Sequence, residues 1–397
     1  MLFTLGLNAA DRVTAIGSVV DQSTNQPIEN ATVMVYSAGV KKGYDRYCPT
    51  CYTDCGKRTV TDEKGAYSIP GLNPDLVFNL LVVREGYGAA FVNKVDPAGG
   101  PAPPAALKKR TSPDDPTQMV RGRVVDSKGQ PVADALVAQQ GIVFERSRRF
   151  GDIDWIDLVA VSNRNGEFEM AYSKPAQSMI LQVAPRAMAP KLVMLPTGAA
   201  RQTVTVTDGA TIRGRLVQSG KPVADAEFGL STHSRTSGTV YAEMRIGTNE
   251  KGEFALTNVP AGRVWDLFAR MDSLAPRNLA AEVTYVATKD DGEEVNVGDI
   301  AARPAYTLRG RIVLSDGAAI PSGMRVSLFS DHIPDRQSLL LPPDGAFEFR
   351  GLAKGVYTLS PAVKGYQEQD PEQRRELVIE GDRKDVTVVL YPARTPK

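Results

Sequence analysis

The sequence predicts an all-β protein built from four tandem antiparallel Greek-key β-sandwiches of about seven strands each. Two short phrases, one typical of a strand and one of a tight turn, recur about every ninety residues along the 397-residue chain. A period of this length fits a small domain that folds alone, and it is too long for a solenoid repeat. No apolar pattern with the 3.6-residue period of a helix persists over a long segment.

The first phrase marks the opening strand of each copy. In three copies arginines alternate with apolar residues and glycine, and a weaker copy opens the chain; the copies are residues 15–20, 120–125, 212–217 and 308–313. Alternation with a period of two predicts a half-buried strand whose arginines face outward and protect a sheet edge. Because glycine weakens a strand, its return at one place in every copy predicts a bulge or the close approach of another backbone.

The second phrase marks a turn that leads into another strand. A glycine is followed two positions later by an aromatic residue, in copies at Gly65, Gly166, Gly252 and Gly345. The Lys-Gly, Asn-Gly and Asp-Gly pairs supply the positive φ that a tight hairpin requires, and the aromatic side chains are expected to face the core. Together the phrases predict four domains, at residues 11–109, 117–207, 208–304 and 305–392.

The composition of these phrases resembles the carboxypeptidase regulatory-like domain family. The resemblance rests on residues 122–126 (GRVVD), 131–135 (PVADA), 355–359 (GVYTL) and the Gly-Glu-Phe turns, and copy two departs from it after Met170. It implies a transthyretin-like or prealbumin-like sandwich of seven strands, within the carbohydrate-binding-like fold group. It also implies a non-catalytic accessory domain, common on exported bacterial proteins, and no specific ligand.

Charge and composition exclude several classes of function. The 47 lysines and arginines nearly balance the 46 acidic residues, so a net charge of +1 gives no global attraction to nucleic acid or a membrane surface. The two histidines, His233 and His332, are expected in loops, and neither has a paired ligand at the spacing of a zinc peptidase. The sequence contains no Ser–His or Cys–His nucleophile pattern and no phosphate loop. We therefore predict a non-enzymatic chain that needs no cofactor.

All three cysteines lie in one insertion between the second and third strands of the first domain: Cys48, Cys51 and Cys55. One expectation is a local disulfide with a leftover thiol, or free thiols. The alternatives are a soft-metal or redox site, which lacks a fourth ligand, and an intermolecular disulfide. The same insertion carries candidate binding residues with aromatic or cationic side chains: Tyr47, Tyr52, Lys57 and Arg58. Such a loop could recognise an anionic or sugar surface.

A second insertion, residues 144–157, carries basic residues followed by acidic ones. Three of its acidic residues could offer oxygens to calcium: Asp152, Asp154 and Asp157. No glycine-turned twelve-residue calcium loop accompanies them, so a self-neutralising loop is the alternative. Trp155 is either an exposed stacking platform for a ligand or packed under its loop. Trp265 lies in a predicted strand and is expected in the core.

The N-terminus bears on where the protein works. Residues 1–10 are apolar and end in small residues, like the last part of a secretory signal without its positively charged region. No apolar run has the length of a membrane-spanning helix. Together with the resemblance, whose family is common on exported bacterial proteins, this segment leads us to expect a secreted, periplasmic or cell-surface protein of bacterial type. The alternative is that residues 1–10 are only an apolar arm.

The leading hypothesis is a non-catalytic structural or interaction protein. Its inter-strand loops would bind a protein or polysaccharide at the cell surface, because loops on a rigid sandwich are the usual place for recognition. The alternatives are a carbohydrate-binding protein that uses tyrosine and tryptophan platforms, and a metal or redox function at the cysteine cluster. No nucleic-acid partner is expected.

Overall fold

The structure is a computed structural model that describes residues 12–45, 49–50, 52, 54–110, 118–151, 153–174, 176–198, 200–232, 244–370 and 375–393. Within these residues helix is confined to α1 (Met271–Leu274) and two 3₁₀ turns, Pro97–Gly99 and Ala275–Arg277. The predicted all-β class is confirmed. The strands form four units, each with two main sheets and its own buried apolar core.

The strands of the first two units follow in chain order. Unit 1 comprises β1 (Val13–Asp21), β2 (Thr32–Val40), β3 (Arg58–Val60), β4 (Ala66–Leu72), β5 (Leu76–Val83), β6 (Ala90–Val95) and β7 (Ala105–Leu107). Unit 2 comprises β8 (Met119–Val125), β9 (Leu136–Val143), β10 (Arg148–Phe150), β11 (Val159–Val161), β12 (Glu167–Ala171), β13 (Ser178–Ala184), β14 (Lys191–Pro196) and β15 (Arg201–Thr205).

The last two units contain additional short strands. Unit 3 comprises β16 (Ala210–Gln218), β17 (Lys221–Pro222), β18 (Glu227–Thr232), β19 (Met244–Gly247), β20 (Glu253–Val259), β21 (Arg263–Ala269), β22 (Leu279–Ala280), β23 (Thr284–Thr288), β24 (Glu294–Ala301) and β25 (Arg303–Pro304). Unit 4 comprises β26 (Tyr306–Leu314), β27 (Arg325–Ser330), β28 (Arg336–Leu340), β29 (Ala346–Leu352), β30 (Gly355–Ala362), β31 (Tyr366–Gln367), β32 (Arg375–Ile379) and β33 (Arg383–Pro392).

One topology recurs in all four units. The opening strand lies in the first sheet between an antiparallel partner and a late strand of the same unit, as in β4-β1-β7 and β12-β8-β15. The second sheet has four main strands in the orders β3-β2-β5-β6, β10-β9-β13-β14, β19-β18-β21-β23 and β28-β27-β30-β32. The boundaries given above for the four domains stay a prediction.

The expectation of purely antiparallel sandwiches is wrong at one place in each unit. The opening strand pairs parallel with the late strand in β1–β7, β8–β15, β16–β24 and β26–β33. The chain returns from the second sheet to the first and enters beside its own opening strand in the same direction. A period-two pattern identifies the buried face of a strand but not the direction of its partner, so this pairing was not readable from the sequence.

The glycine of each opening strand lies opposite the aromatic residue of the turn phrase. The registers pair Gly17 with Tyr67, Gly122 with Phe168, Gly214 with Phe254 and Gly310 with Phe347. A Cβ added at Gly17 would lie 2.7 Å from the Tyr67 ring, and one added at Gly310 would lie 2.5 Å from the Phe347 ring, so the ring occupies the space that a side chain would need. The close neighbour common to all four is therefore an aromatic side chain. The expected backbone approach occurs at Gly310, beside the carbonyl of Val386.

The turn glycine of each unit lies two positions before this aromatic residue, and its carbonyl bonds to the opening strand. Gly65, Gly166, Gly252 and Gly345 have φ between 70° and 75°, which confirms the positive φ. In unit 2, the N–H of Val124 in the opening strand donates to the Gly166 carbonyl at 2.8 Å. However, this turn joins β11 of one sheet to β12 of the other, so it crosses the sandwich rather than closing a hairpin.

A buried hydroxyl, which the sequence analysis missed, fixes the PVADA-type turn in units 1 to 3. In unit 3, Thr248 Oγ1 donates to the Val223 carbonyl at 2.8 Å and accepts from the Ala226 N–H at 2.9 Å. Thr61 and Ser162 make the same two bonds in units 1 and 2. Each hydroxyl thereby satisfies two backbone groups that the core would otherwise leave unpaired.

The buried core and the outward direction of the arginines agree with the sequence prediction. The predicted protection of a sheet edge is wrong, because each opening strand lies inside its sheet between two partner strands. Trp265 is buried, as predicted, and its ring N–H donates to Thr288 Oγ1 at 3.0 Å. The outward arginines form ion pairs across the sheet surface: Arg121–Glu169, Arg213–Glu294, Arg215–Asp299, Arg309–Glu348 and Arg311–Asp344. Exposed pairs of this kind contribute about 0–1 kcal/mol each, so the cores carry the stability.

The contact between glycine and ring predicts the effect of a single methyl group. In Gly214→Ala the new Cβ would lie 2.7 Å from the Phe254 ring and 2.6 Å from Val297 Cγ2. We expect this overpacking to lower the free energy of unfolding by about 1–3 kcal/mol. Gly247→Ala, on a strand of the same unit with no atom within 4 Å of the new Cβ, is the matched control. Equal effects of the two substitutions in urea denaturation would contradict the role given to the ring.

Candidate functional site

Three described residues of the insertion between β2 and β3 (residues 41–57) contact unit 4: Tyr44, Asp45 and Tyr52. Tyr52 is 5% exposed, and its hydroxyl donates to Asp45 Oδ2 at 3.0 Å. The guanidinium of Arg336 in unit 4 lies 4.4 Å from the centre of the Tyr52 ring and 3.9 Å from Asp45. Burial and the negative charge of Asp45 raise the pKa of Tyr52 to about 12. The ring is therefore held between its own unit and unit 4.

Two glycines allow the 41–57 insertion to approach unit 4 closely. The Tyr44 N–H donates to the Gly323 carbonyl at 2.9 Å, and the Tyr44 side chain packs against the core of unit 4. Gly43 has φ 88°, and a Cβ on it would collide with the backbone of Gly323. No other residue type could occupy position 43 without moving the two backbones apart.

Lys57 is engaged inside unit 1. Its Nζ donates to Asp54 Oδ1 at 2.8 Å and to the Gly71 carbonyl. Asp54 is fully buried and also pairs with Arg12, whose other guanidinium nitrogen reaches Asp272 of unit 3 at 3.2 Å. This chain of charges fixes the end of the insertion and ties unit 1 to unit 3.

The cysteine cluster lies only partly within the described residues. Tyr47, Cys48 and Cys51 lie outside them, and so does His233. The Cys55 thiol is half-buried and donates to the Pro49 carbonyl at 3.4 Å. The disulfide, metal and intermolecular alternatives for the three cysteines therefore stay predictions.

The second insertion, residues 144–157, forms more structure than a loop. Its residues 148–150 are strand β10, paired with β9. Asp152 lies outside the described residues, Asp154 is exposed, and Trp155 is half-buried against the core of unit 2. Asp157 pairs with Arg110 of unit 1 and accepts from the Ala171 N–H, so an ion pair occupies its carboxylate. Within the part of the chain that the structure describes, no group of three metal-ligating side chains is present.

Units 3 and 4 meet at a buried ion pair that the sequence analysis did not find. Arg270, just before helix α1, and Asp335, before β28, both have side chains that are 1% exposed, and they lie 3.4 Å apart. The Met271 N–H donates to the same carboxylate at 2.8 Å, and the Met271 side chain packs into the core of unit 4. Glu227 lies 3.6 Å from Arg270 on the unit 3 side. An arginine between a strand and a short helix carries no signal for a partner this distant in sequence.

Units 1 and 2 pack through the faces of two sheets. Leu81 and Val83 of β5 form a buried apolar cluster with Leu136 and Val159 of unit 2. Arg84 of unit 1 and Arg186 of unit 2 approach the Asp134 carboxylate from both sides, at 3.4 and 3.7 Å. Units 1 and 2 are therefore joined by an apolar contact and by ion pairs beside it.

The four units surround a cavity of about 1200 Å³. Its wall includes Arg58 from unit 1, Arg186 from unit 2, Arg245 from unit 3 and Asp331 from unit 4. Of the residues predicted to bind, the structure thus brings Arg58 and Tyr52 to one site, because Tyr52 also lines this wall. Asp154 and Trp155 do not belong to it. No single repeat could indicate this cavity, since it arises from contacts between repeats.

Comparison with known proteins gives no family. No family model and no curated protein matches the chain. Among solved structures it is similar to the Bacillus anthracis TIE protein (12% identity, 97% of this chain and 75% of that chain, TM-score 0.21). It is also similar to the Streptococcal ancillary pilin (13%, 70% and 100%, 0.25) and to the minor pilin GBS52 of Streptococcus agalactiae (17%, 48% and 98%, 0.25).

The helices also bear on the prediction about membrane spans. Among the described residues, none of the helices has the length and apolar composition needed to cross a membrane.

The buried pair between units 3 and 4 predicts a large effect of removing one charge. In Asp335→Asn the Arg270 guanidinium keeps its burial but loses its closest acidic partner, so we expect the free energy of unfolding to fall by about 3 kcal/mol or more. Asp344→Asn breaks the exposed pair with Arg311 in the same unit and should cost less than about 1 kcal/mol. Guanidinium denaturation measures both, and a similar small loss in the two variants would contradict the prediction.

The joint between units 1 and 4 predicts a loss of stability at alkaline pH. The pKa of Tyr52 is raised from 10.0 to about 12, so the unfolded chain releases this proton first. Its contribution to stability is complete below pH 10 and is lost as the pH rises toward 12. We expect unfolding free energies at pH 9 and pH 11 to differ more for the wild type than for Tyr52→Phe. An equal pH dependence of the two proteins would show that Tyr52 is not the group responsible.

Proposed function

We propose that this chain is an exported, non-enzymatic structural and interaction protein built of carboxypeptidase regulatory-like domains. The observation that carries the proposal is the pair of side-chain joints, Tyr52–Arg336 and Arg270–Asp335, which link unit 1 to unit 4 and unit 3 to unit 4. At these joints aromatic and charged side chains, the types that could bind a ligand, hold the units together. Such a chain is suited to be a rigid body that presents surfaces.

The family assignment within this proposal draws on the repetition of one module. Four copies of a two-sheet sandwich, each with the same pairing of glycine and aromatic residue, are consistent with what the resemblance implies. The four domain boundaries, at 11–109, 117–207, 208–304 and 305–392, belong to the same proposal.

Recognition is proposed at the candidate residues that internal contacts leave accessible. Arg58 opens into the cavity, and Asp154 with Trp155 lies on the 144–157 insertion of unit 2. Tyr52 and Lys57 contribute instead by holding the 41–57 insertion in place. The partner would be a protein or polysaccharide at the cell surface. Of the proposed carbohydrate platforms, Tyr52 has its face covered by Arg336, so the sugar-binding alternative now rests on Trp155 and on Tyr47, which lies outside the described residues.

The test measures the distance between units 1 and 4. Fluorophores placed through non-natural amino acids at the exposed positions Glu63 and Lys384 should give one narrow distance distribution in single-molecule energy transfer. Arg336→Ala removes the cation above Tyr52 and should broaden it. Arg383→Ala, an exposed arginine of unit 4 whose guanidinium contacts the Val378 carbonyl, should leave it narrow.

Two outcomes would overturn the proposed function. A broad distribution in the wild type would mean that the units move independently. Recovery of the native protein in the cytoplasmic fraction of its source cells would remove export.

A further inference from the structure

We propose that the cavity between the four units binds a single amphiphilic organic anion, a molecule with a carboxylate head and an apolar body. This inference goes beyond the structural role proposed above and does not depend on export. It rests on the charge of the cavity wall, on the apolar side chains beside that charge, and on the size of the space.

The wall of the cavity carries a cation that no acidic side chain of the described residues neutralises. Arg58 is exposed to the cavity, and within the described part of the chain no carboxylate forms an ion pair with it. Its removal from bulk water and the nearby positive charge of Arg186 both lower the pKa of the Arg58 guanidinium. An arginine nevertheless stays charged at neutral pH, so this site keeps its attraction for an anion.

The other charges of the wall do not cancel Arg58. Arg186 shares the Asp134 carboxylate with Arg84, so one acidic group faces two guanidinium groups there. Arg245 lies 3.9 Å from Glu227, and Arg270, the other guanidinium near Glu227, is paired with Asp335, so Arg245 adds no surplus charge. Asp331 is the acidic residue in the wall, and His332 lies 3.3 Å from it. The balance favours an anionic guest, and a guanidinium binds carboxylates through paired hydrogen bonds.

The apolar part of the wall selects a guest that is not merely an ion. Methionines from three units line the cavity: Met34, Met188 and Met244. Methionine side chains are flexible and adapt to irregular apolar molecules. A volume of about 1200 Å³ exceeds the range of roughly 300–1000 Å³ typical of small-molecule pockets, so one lipid-sized molecule can enter with water.

The experiment is isothermal titration calorimetry on the full chain with four probes. Dodecanoate carries head and tail, acetate the head alone, dodecanol the tail alone, and dodecyltrimethylammonium the opposite charge. We expect one dodecanoate to bind per chain, at least about tenfold more tightly than dodecanol, with no heat from acetate or the ammonium compound.

Substitutions then assign the site. Arg58→Gln should weaken dodecanoate binding about tenfold or more, since it removes the charged donor of hydrogen bonds to the carboxylate. Arg58→Glu should abolish it. Arg123→Gln is the matched control, because Arg123 is an exposed arginine on the opening strand of unit 2 and does not line the cavity.

Four results of the calorimetry would overturn the proposal, and a fifth comes from a vesicle experiment. They are absence of binding by every amphiphile, equal affinity for dodecanoate and dodecanol, unchanged binding in Arg58→Gln, or an equal loss in Arg123→Gln. Co-sedimentation with phosphatidylglycerol vesicles without binding of monomeric dodecanoate would place the anion site on a membrane-facing surface instead, and would also overturn it.

Discussion

The fold of every unit depends on one contact, the aromatic ring that lies on the glycine of the opening strand. Tyr67, Phe168, Phe254 and Phe347 each fill the space where that glycine lacks a side chain. The turn glycine then brings its carbonyl to the N–H of a residue two positions further along the opening strand. The two recurring phrases of the sequence are thus the two sides of one interaction, and this is why they recur together.

The sequence therefore predicted the interior of each unit well. Alternation marked the buried faces, and the turn phrase marked where positive φ occurs. It could not predict the parallel pairing of β1 with β7, because the side-chain pattern of a strand is the same for both directions. It also missed Thr61, Ser162 and Thr248, since a buried hydroxyl looks like any other polar residue until its two backbone partners are known.

Prediction of the site failed for a different physical reason. Tyr52 and Arg336 belong to different units, and neither repeat contains a signal for the other. An aromatic and cationic loop suggests recognition, but the same side chains suit contacts within a chain equally well. Arg58 was singled out from composition alone, and only the arrangement of all four units places it in a cavity.

The Tyr44–Gly323 contact closes the chain on itself, and this closure changes how strong the contact has to be. Because units 2 and 3 connect the two surfaces covalently, the contact forms at an effective concentration set by the linkage and not by the amount of protein. Surfaces too weak to associate as separate molecules can stay together in this way. The joint between the first and last units can therefore be small in area and still form whenever the chain folds.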